Sequence, residues 1–355
     1  MELELEQWGG EELLIRRDAR TGAWIGIAIH STVRGPAVGG TRLRRYASVH
    51  AALVDVLRLS AGMTVKNAVA GLPCGGGKAV IAVPGPLTDG EREALLERYA
   101  EMIDGLGGRF ATGPDIGTGE ADMDVIGRRT VHVFCRSLGQ GGSGTASPWT
   151  AAGVQAGIRA TLRHRTGSDD LAGRQVLIQG LGEVGGVLAR LLHDAGARLL
   201  LADVERERVR ATVAALPGAV EVTAEAVIGT ECDVFSPCAI GGVLNAETIP
   251  QLRCLIVAGA ANNQLLEEAD AERLRTAGIL YAPDFVINSG GIMRGIGAER
   301  LGWSEAQIDA RIQAIGETLE EIYRASERLD ISTAAAANRL AQEALTPVEV
   351  ATPPG

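Results

Sequence analysis

The chain alternates short apolar runs with longer stretches whose apolar positions recur every three to four residues. Leu13-Leu14-Ile15 and Trp24-Ile25-Gly26-Ile27-Ala28-Ile29 flank the polar stretch Asp18-Ala19-Arg20-Thr21-Gly22, a pattern that predicts a β-hairpin. The first 50 residues as a whole read as extended structure, with Gly39-Gly40-Thr41-Arg42 closing another strand-like segment. From Ser48 the period becomes helical, with Leu53, Val56, Leu57, Ser60 and Met63 on a similar face, and this helix delivers Lys66. Ala79-Val80-Ile81-Ala82-Val83 has the length and composition of a buried strand. Thr88 and Glu91 have capping-box spacing at the start of a helix carrying Leu95, Leu96, Tyr99, Met102 and Ile103. Residues 110–115 form a short extended piece ending on a carboxylate, and Thr118 is the expected cap of a helix through Met123 and Ile126.

A glycine/serine-rich stretch at 139–145 marks the neighbourhood of a domain boundary. Ser147-Pro148 then reads as N-cap and first residue of a helix reaching about Arg163. Val176-Leu177-Ile178, a helix over 184–195, Leu199-Leu200-Leu201, a helix over 205–215, Asp233-Val234-Phe235 and Leu255-Ile256-Val257 follow in alternation, which predicts a parallel sheet. Near the end, Ser304 and Gln307 repeat the capping-box pattern. Ile308, Ile312, Ile315, Leu319 and Ile322 then form one apolar seam, expected on a long helix packed on its own domain. The predicted organisation is α/β in two domains around a cleft. Residues 1–145 form the first. Residues 146–327 form a doubly wound, Rossmann-type second, and 328–355 is a candidate to return to the first.

Composition narrows the function more than the fold. A net charge of −10 and an aromatic content of 3% speak against a nucleic-acid surface or base-stacking platform. No apolar run reaches the length of a membrane span, and the acidic N-terminus lacks a signal-peptide core, so a cytoplasmic protein is expected. Five scattered cysteines without a C-x-x-C pair and five dispersed histidines predict reduced thiols and no metal site.

Two stretches carry candidate chemistry. In GMTVKNAVAGLPCGGGKAV, from Gly62, two lysines stand twelve residues apart, Lys66 and Lys78, the second behind Gly75, Gly76 and Gly77. Three glycines suggest a loop where backbone passes close to a ligand, and burial beside another ammonium favours the neutral amine. A solvated lysine beside a flexible loop fits this stretch equally well. The second stretch, Gly180-Leu181-Gly182-Glu183-Val184-Gly185, is G-x-G-x-x-G between a strand and a helix. The next strand ends in Asp203, as a dinucleotide turn requires. Asp203 would bind a ribose hydroxyl and favour NAD over NADP, whereas Arg206 and Arg208 nearby suit a phosphate. Asp115, Asn262, Asn263 and Asn288, each taken alone, read as turn or cap residues.

Taken together, GPAVGGTRL, GMTVKNAVAGL with GGGKAVI, TGPDIGT, SPWTAAGV, QGLGEVGG, SPCAIGG, AGAANNQL and YAPDFVINSGG resemble the glutamate/leucine/phenylalanine/valine dehydrogenase family over roughly residues 35–303. TGPDIGTGEADMD and RLGWSEA look most like the phenylalanine branch. The resemblance implies reversible oxidative deamination of an apolar L-amino acid by NAD to a 2-oxo acid and ammonia, in a homo-oligomer and without metal. It implies that Lys66 binds the substrate carboxylate, Lys78 activates water, and Asp115 exchanges protons with the substrate nitrogen. Thr150 would orient the nicotinamide amide, and Asn262 would lie near nicotinamide and substrate. Gly39 and Gly40 fall in its substrate motif. Gly180, Gly182, Glu183, Val184, Gly185, Asp203, Ala239, Ala260 and Asn288 fall at its cofactor. The side-chain pocket would be lined near Val38, Gly113, Ile292 and Gly295. The two glycines leave room for an aromatic ring, so phenylalanine is favoured, while Ile292 suits the alternative, leucine or valine. Met293-Arg294 departs from the family pattern. A non-catalytic NAD-responsive protein would need no lysine pair, and a hydroxy-acid dehydrogenase would want a His/carboxylate pair.

Overall fold

The structure is a computed structural model describing residues 2–346. It divides into two compact units, one of residues up to Gly142 together with those from Asn338 on, the other Ser143–Ala337.

In the first unit, helix α1 (Glu2–Trp8) precedes strands β1 (Glu12–Arg17), β2 (Trp24–Ser31) and β3 (Ala37–Arg44). Then come α2 (Val49–Val69), β4 (Gly75–Ala82), α3 (Asp89–Asp104), β5 (Phe110–Pro114) and α4 (Glu120–Gly127). The sheet order is β1-β2-β4-β3-β5. β1, β2 and β4 run antiparallel in turn, while β3 is parallel to both β4 and β5. The β1–β2 hairpin is the expected one. The first residues, however, are helical rather than extended, and Trp8 of α1 is held by donating from Nε1 to Ser60 Oγ at 2.9 Å.

Side-chain alternation gives this sheet two covered faces. Ala28, Val80 and Ala82 pack on Ala52, Val56 and Leu57 of α2. Ile25, Ile27, Ala79 and Ile81 point the other way, into a larger core with Leu95, Leu96, Tyr99 and Ile103 of α3 and Met123 and Ile126 of α4. Caps set the helix starts. Ser48 accepts from the Ala51 amide, and Thr88 and Glu91 complete both bonds of the capping box. Thr118 does not cap α4. Gly119 takes that place, its amide bonded to Asp122. The Thr118 hydroxyl is drawn instead to the Thr41 carbonyl at 2.8 Å and accepts from the Asp115 amide at 3.0 Å.

The glycines before Lys78 are not a loop. Gly75, Gly76 and Gly77 are buried strand residues of β4. A Cβ would lie 1.8 Å from the Ser31 carbonyl oxygen at Gly75 and 2.1 Å from the Thr64 amide at Gly76. At Gly77 it would lie 2.9 Å from the Phe110 ring. Close packing of neighbouring backbone outweighs the poor strand propensity of glycine here.

The second unit starts with α5 (Ser147–Thr166), whose N-cap is Ala146, one residue earlier than the Ser-Pro pattern suggests. It continues through β6 (Gln175–Gln179), α6 (Glu183–Asp194), β7 (Arg198–Ala202), α7 (Arg206–Ala215), β8 (Val220–Glu221), β9 (Glu231–Pro237) and β10 (Arg253–Val257). After these come α8 (Ala269–Thr276), β11 (Leu280–Tyr281), α9 (Asp284–Ile287), α10 (Gly290–Glu299), α11 (Glu305–Gln313), α12 (Ile315–Leu329) and α13 (Thr333–Leu345), the last running across the division between the units. All six strands are parallel in the order β11-β10-β9-β6-β7-β8. The chain winds one way from β6 and then the other, so the strand order reverses between β6 and β9, where doubly wound sheets bind ligands. The seam residues Ile308, Ile312, Ile315, Leu319 and Ile322 are all buried, but on two helices joined at Ala314 rather than on one. Gly316 comes close to Ala160, and the Tyr323 hydroxyl meets Thr161 Oγ1 at 2.7 Å, so the seam packs on α5 of the same unit. Among the described residues no helix is long and apolar enough to cross a membrane.

Candidate active site

Lys78 and Asp115 meet in the first unit. Lys78 lies on β4, on the face covered by α2, and Asp115 follows directly after β5. Lys78 Nζ is 3.1 Å from Asp115 Oδ2, and both side chains are nearly buried. The same oxygen accepts from Arg42 Nε at 2.9 Å. Burial pushes the Asp115 carboxyl upward, but Lys78 and Arg42 outweigh it and bring it down to about 2. Asp115 is therefore an anion throughout the neutral range. Its loop is fixed from several sides. The Leu43 amide donates to the Ile116 carbonyl, and Arg92 donates to the Gly117 carbonyl at 2.6 Å. Gly117 adopts φ +81°, and a Cβ there would lie 1.9 Å from the Leu43 carbonyl oxygen. Beneath, Thr41, Thr112 and Tyr99 join hydroxyls in a buried cluster.

Lys66 is half-buried in the last turn of α2. That turn is tied down by Asn67, whose Nδ2 donates to the Gly75 carbonyl at 2.6 Å and the Val38 carbonyl at 3.2 Å. Val38, Gly39 and Gly40 are buried on β3, and Gly113 is paired with Gly40 across β5. The room expected beside Gly113 is filled. A Cβ there would lie 2.4 Å from the Phe134 ring, itself buried. No residue pattern in the sequence places Phe134 against Gly113, because a bridge between Thr112 and Val133 far along the chain brings it there.

In the second unit the G-x-G-x-x-G turn joins β6 to α6. Gly180 adopts φ +97° with its α-carbon against Ala239, and Gly185 packs on the Gly180 carbonyl. Gly182 caps α6 and has no atom within 4 Å of where a Cβ would stand. An open glycine at a helix N-terminus, with free space in front of its backbone, fits a pyrophosphate. Asp203 braces this turn. Its carboxylate accepts from the Leu181 amide at 2.7 Å and the Glu205 amide at 2.9 Å, with Arg208 at 3.2 Å. Burial raises the carboxyl, and these donors bring it below its ordinary value. Arg208 is thus engaged by Asp203, while Arg206 is exposed at the start of α7. Glu183 accepts from Ser147 Oγ at 2.9 Å, and Val184 follows it in the first turn.

Ala260, Asn262 and Asn288 come together. Asn288 Nδ2 donates to the Ala260 carbonyl at 3.0 Å and to Asn262 Oδ1 at 2.8 Å, so a buried asparagine orients an exposed one. Thr150 Oγ1 donates to the Ala146 carbonyl, and Gly291 leaves space for it. On α10, Ile292 is half-buried and Gly295 buried. Met293 is core. Arg294 stacks 4.7 Å over the Trp149 ring and pairs with Glu305, bracing α10 against α5 and α11. Among the described residues no group of three or more His, Cys, Asp or Glu is placed to hold a metal.

A lysine beside an ionised aspartate, on a chain that also folds a dinucleotide turn into a parallel sheet, is the equipment of an NAD-dependent oxidoreductase acting on a CH–NH2 carbon. Two sequence profiles match this chain. Glu/Leu/Phe/Val dehydrogenase, dimerisation domain, matches residues 19–132, and Glutamate/Leucine/Phenylalanine/Valine dehydrogenase matches residues 141–205 and 198–351. The chain belongs to the glutamate/leucine/phenylalanine/valine dehydrogenase family, and NAD is its cofactor. It is 41% identical to leucine dehydrogenase of Geobacillus stearothermophilus over 99% of this chain and 94% of that one. It is 40% identical to valine dehydrogenase of Streptomyces virginiae over 96% and 95%. Among solved structures, L-tryptophan dehydrogenase from Nostoc punctiforme is similar with a TM-score of 0.82 and 37% identity, covering 97% of this chain and 98% of that one.

Proposed function

We propose that this enzyme reversibly deaminates branched aliphatic L-amino acids, leucine and valine, to their 2-oxo acids and ammonia. The observation that carries the reaction is the buried Lys78–Asp115 pair. Lys66 holds the substrate carboxylate. Asp115, anionic at neutral pH, receives a proton from the substrate ammonium. A bound NAD would supply the acceptor for the hydride of the α-carbon. Gly180, Gly182, Glu183, Val184, Gly185, Asp203, Ala239, Ala260 and Asn288 would hold it, with Thr150 and Asn262 at the nicotinamide end. Lys78 takes a proton from water as the water oxygen adds to the iminium carbon. Asp115 then passes its proton to the nitrogen, the C–N bond breaks to release ammonia, and the hydroxyl proton goes to Asp115 as the carbonyl forms, while Lys78 gives up its proton to solvent. Asp203, with Arg208 already paired to it, favours NAD over NADP. A homo-oligomer accords with the dimerisation-domain profile, and five scattered cysteines without a C-x-x-C pair accord with the cytoplasm.

Phe134 supports the substrate class. The side-chain slot beside Gly113 holds a ring of the protein's own, which leaves less room for an aromatic substrate than the glycine alone suggests. Leucine and valine dehydrogenases at 40–41% identity point the same way. The test is kcat/KM for leucine, valine, phenylalanine and tryptophan. Leucine or valine should lead phenylalanine by at least tenfold, about 1.4 kcal/mol. Phe134→Ala should narrow that lead. An enzyme preferring phenylalanine, with a preference unmoved by Phe134→Ala, would contradict the assignment.

A further inference from the structure

We propose that Arg42 is the positioning residue of this site: it anchors Asp115 from β3 and supplies the positive charge that stays on the carboxylate while Lys78 exchanges its proton. The proposal rests on the assignment of Lys78 and Asp115 to proton transfer. Arg42 Nε donates to Asp115 Oδ2 at 2.9 Å while Nη1 donates to Asp55 Oδ2 at 3.0 Å, and the side chain is 7% exposed. Asp55, on α2, is itself held, accepting from the Tyr46 hydroxyl at 2.8 Å and from Arg58 at 3.1 Å. The guanidinium therefore spans two carboxylates from two elements, a task suited to its planar fork and not to a single ammonium.

The chemistry gives this bridge a purpose. A lysine that activates water must spend part of the cycle uncharged. In that interval a buried Asp115 with Lys78 as its only cation would be left uncompensated and would draw a proton. Arginine stays charged at any working pH. Here burial works against the Arg42 charge, but Asp115 and Asp55 outweigh it. The groups facing Asp115 are Lys78 from β4, Arg42 from β3 and the Ile116 amide of its own loop. Those facing Arg42 are Asp115, Asp55 and Tyr46.

The test compares wild type, Arg42→Gln and Arg42→Lys in NADH formation across pH, with NADH binding and melting temperature as controls for folding. Arg42→Gln should lower kcat by roughly tenfold to a hundredfold. It should also move the acid limb of kcat/KM toward neutrality, with NADH affinity unchanged. Arg42→Lys should restore the acid limb because the charge is back. It should recover kcat only in part, because one ammonium cannot bridge Asp115 and Asp55. Wild-type kcat and acid limb in Arg42→Gln would overturn the proposal, as would an acid limb equally displaced in both variants. If Arg42→Gln does not fold, Arg42→Lys decides alone. A kcat reduced at least about threefold with the acid limb in place supports the proposal, and wild-type kcat overturns it. Inactivity of the wild type toward every apolar amino acid would instead remove the functional assignment beneath it.

Discussion

Gly75-Gly76-Gly77 in the first unit and Gly180, Gly182 and Gly185 in the second both stand beside an apolar strand, and in linear sequence both suggest backbone near a ligand. In the structure they part. A Cβ at Gly75 or Gly76 would strike backbone of β2 or α2, so that run is there for packing, and its product is the position of Lys78 directly after it. In the second cluster Gly180 and Gly185 are likewise needed for close approach, to Ala239 and to each other, but Gly182 faces open space at a helix N-terminus. What distinguishes a ligand glycine from a packing glycine is the neighbour its missing side chain would meet, and only tertiary structure supplies that neighbour.

Three substitutions sharpen or break this contrast. Lys78→Ala should remove the chemistry that the packing glycines position, lowering kcat by about a thousandfold or more while NADH binding persists. Steady-state rates and a fluorescence titration would check both halves. Gly76→Ala should cost about 3 kcal/mol of stability, because the new methyl meets Thr64 backbone rather than a flexible side chain. Denaturant unfolding should show a lowered midpoint or no folded protein. Gly182→Ala should leave that midpoint alone and weaken NADH binding roughly tenfold, about 1.4 kcal/mol. A stability loss without an affinity loss would place Gly182 with the packing glycines.

The smallest effect is on stability and concerns Asp18, a carboxylate of similar acidity to Asp115 and different employment. Asp18 is brought to about 2 chiefly by the two hydrogen bonds from Arg98, against burial and with help from Thr21. Its folded-state value lies below the unfolded one, near 3.8. The stabilisation is therefore complete above about pH 4 and is lost as pH falls toward 2. Asp18→Asn should lower stability at neutral pH by about 1 kcal/mol, reduced from the full linkage value because Arg98 is partly open to water. The difference should vanish in acid, and kcat should be unaffected. Asp115→Asn, in contrast, should abolish turnover.

Local signals were legible in the sequence, and long-range ones were not. The capping boxes at Thr88 and Ser304, the β1–β2 hairpin and the alternation from Val176 to Val257 each depend on residues within a few positions. The dinucleotide turn is legible for the same reason. Thr118 resembled a cap because its competing partner, the Thr41 carbonyl, is 77 residues away. The seam from Ile308 to Ile322 kept its period across the change of helix at Ala314, so periodicity could not reveal the joint. Arg42 and Asp55 stand apart from Lys78 and Asp115 along the chain and form no motif. They meet only because β3, β4 and α2 share one face of a sheet. Phe134 likewise reaches Gly113 only through the fold, and its ring fills the slot there.

Nitrogen leaving the substrate is the central step, and its most direct measurement is ammonia released for each NADH formed when the wild-type enzyme acts on NAD and L-leucine. Equal amounts are predicted, with both products lost together in Lys78→Ala. NADH formation without ammonia, or ammonia at wild-type rate from Lys78→Ala, would contradict it.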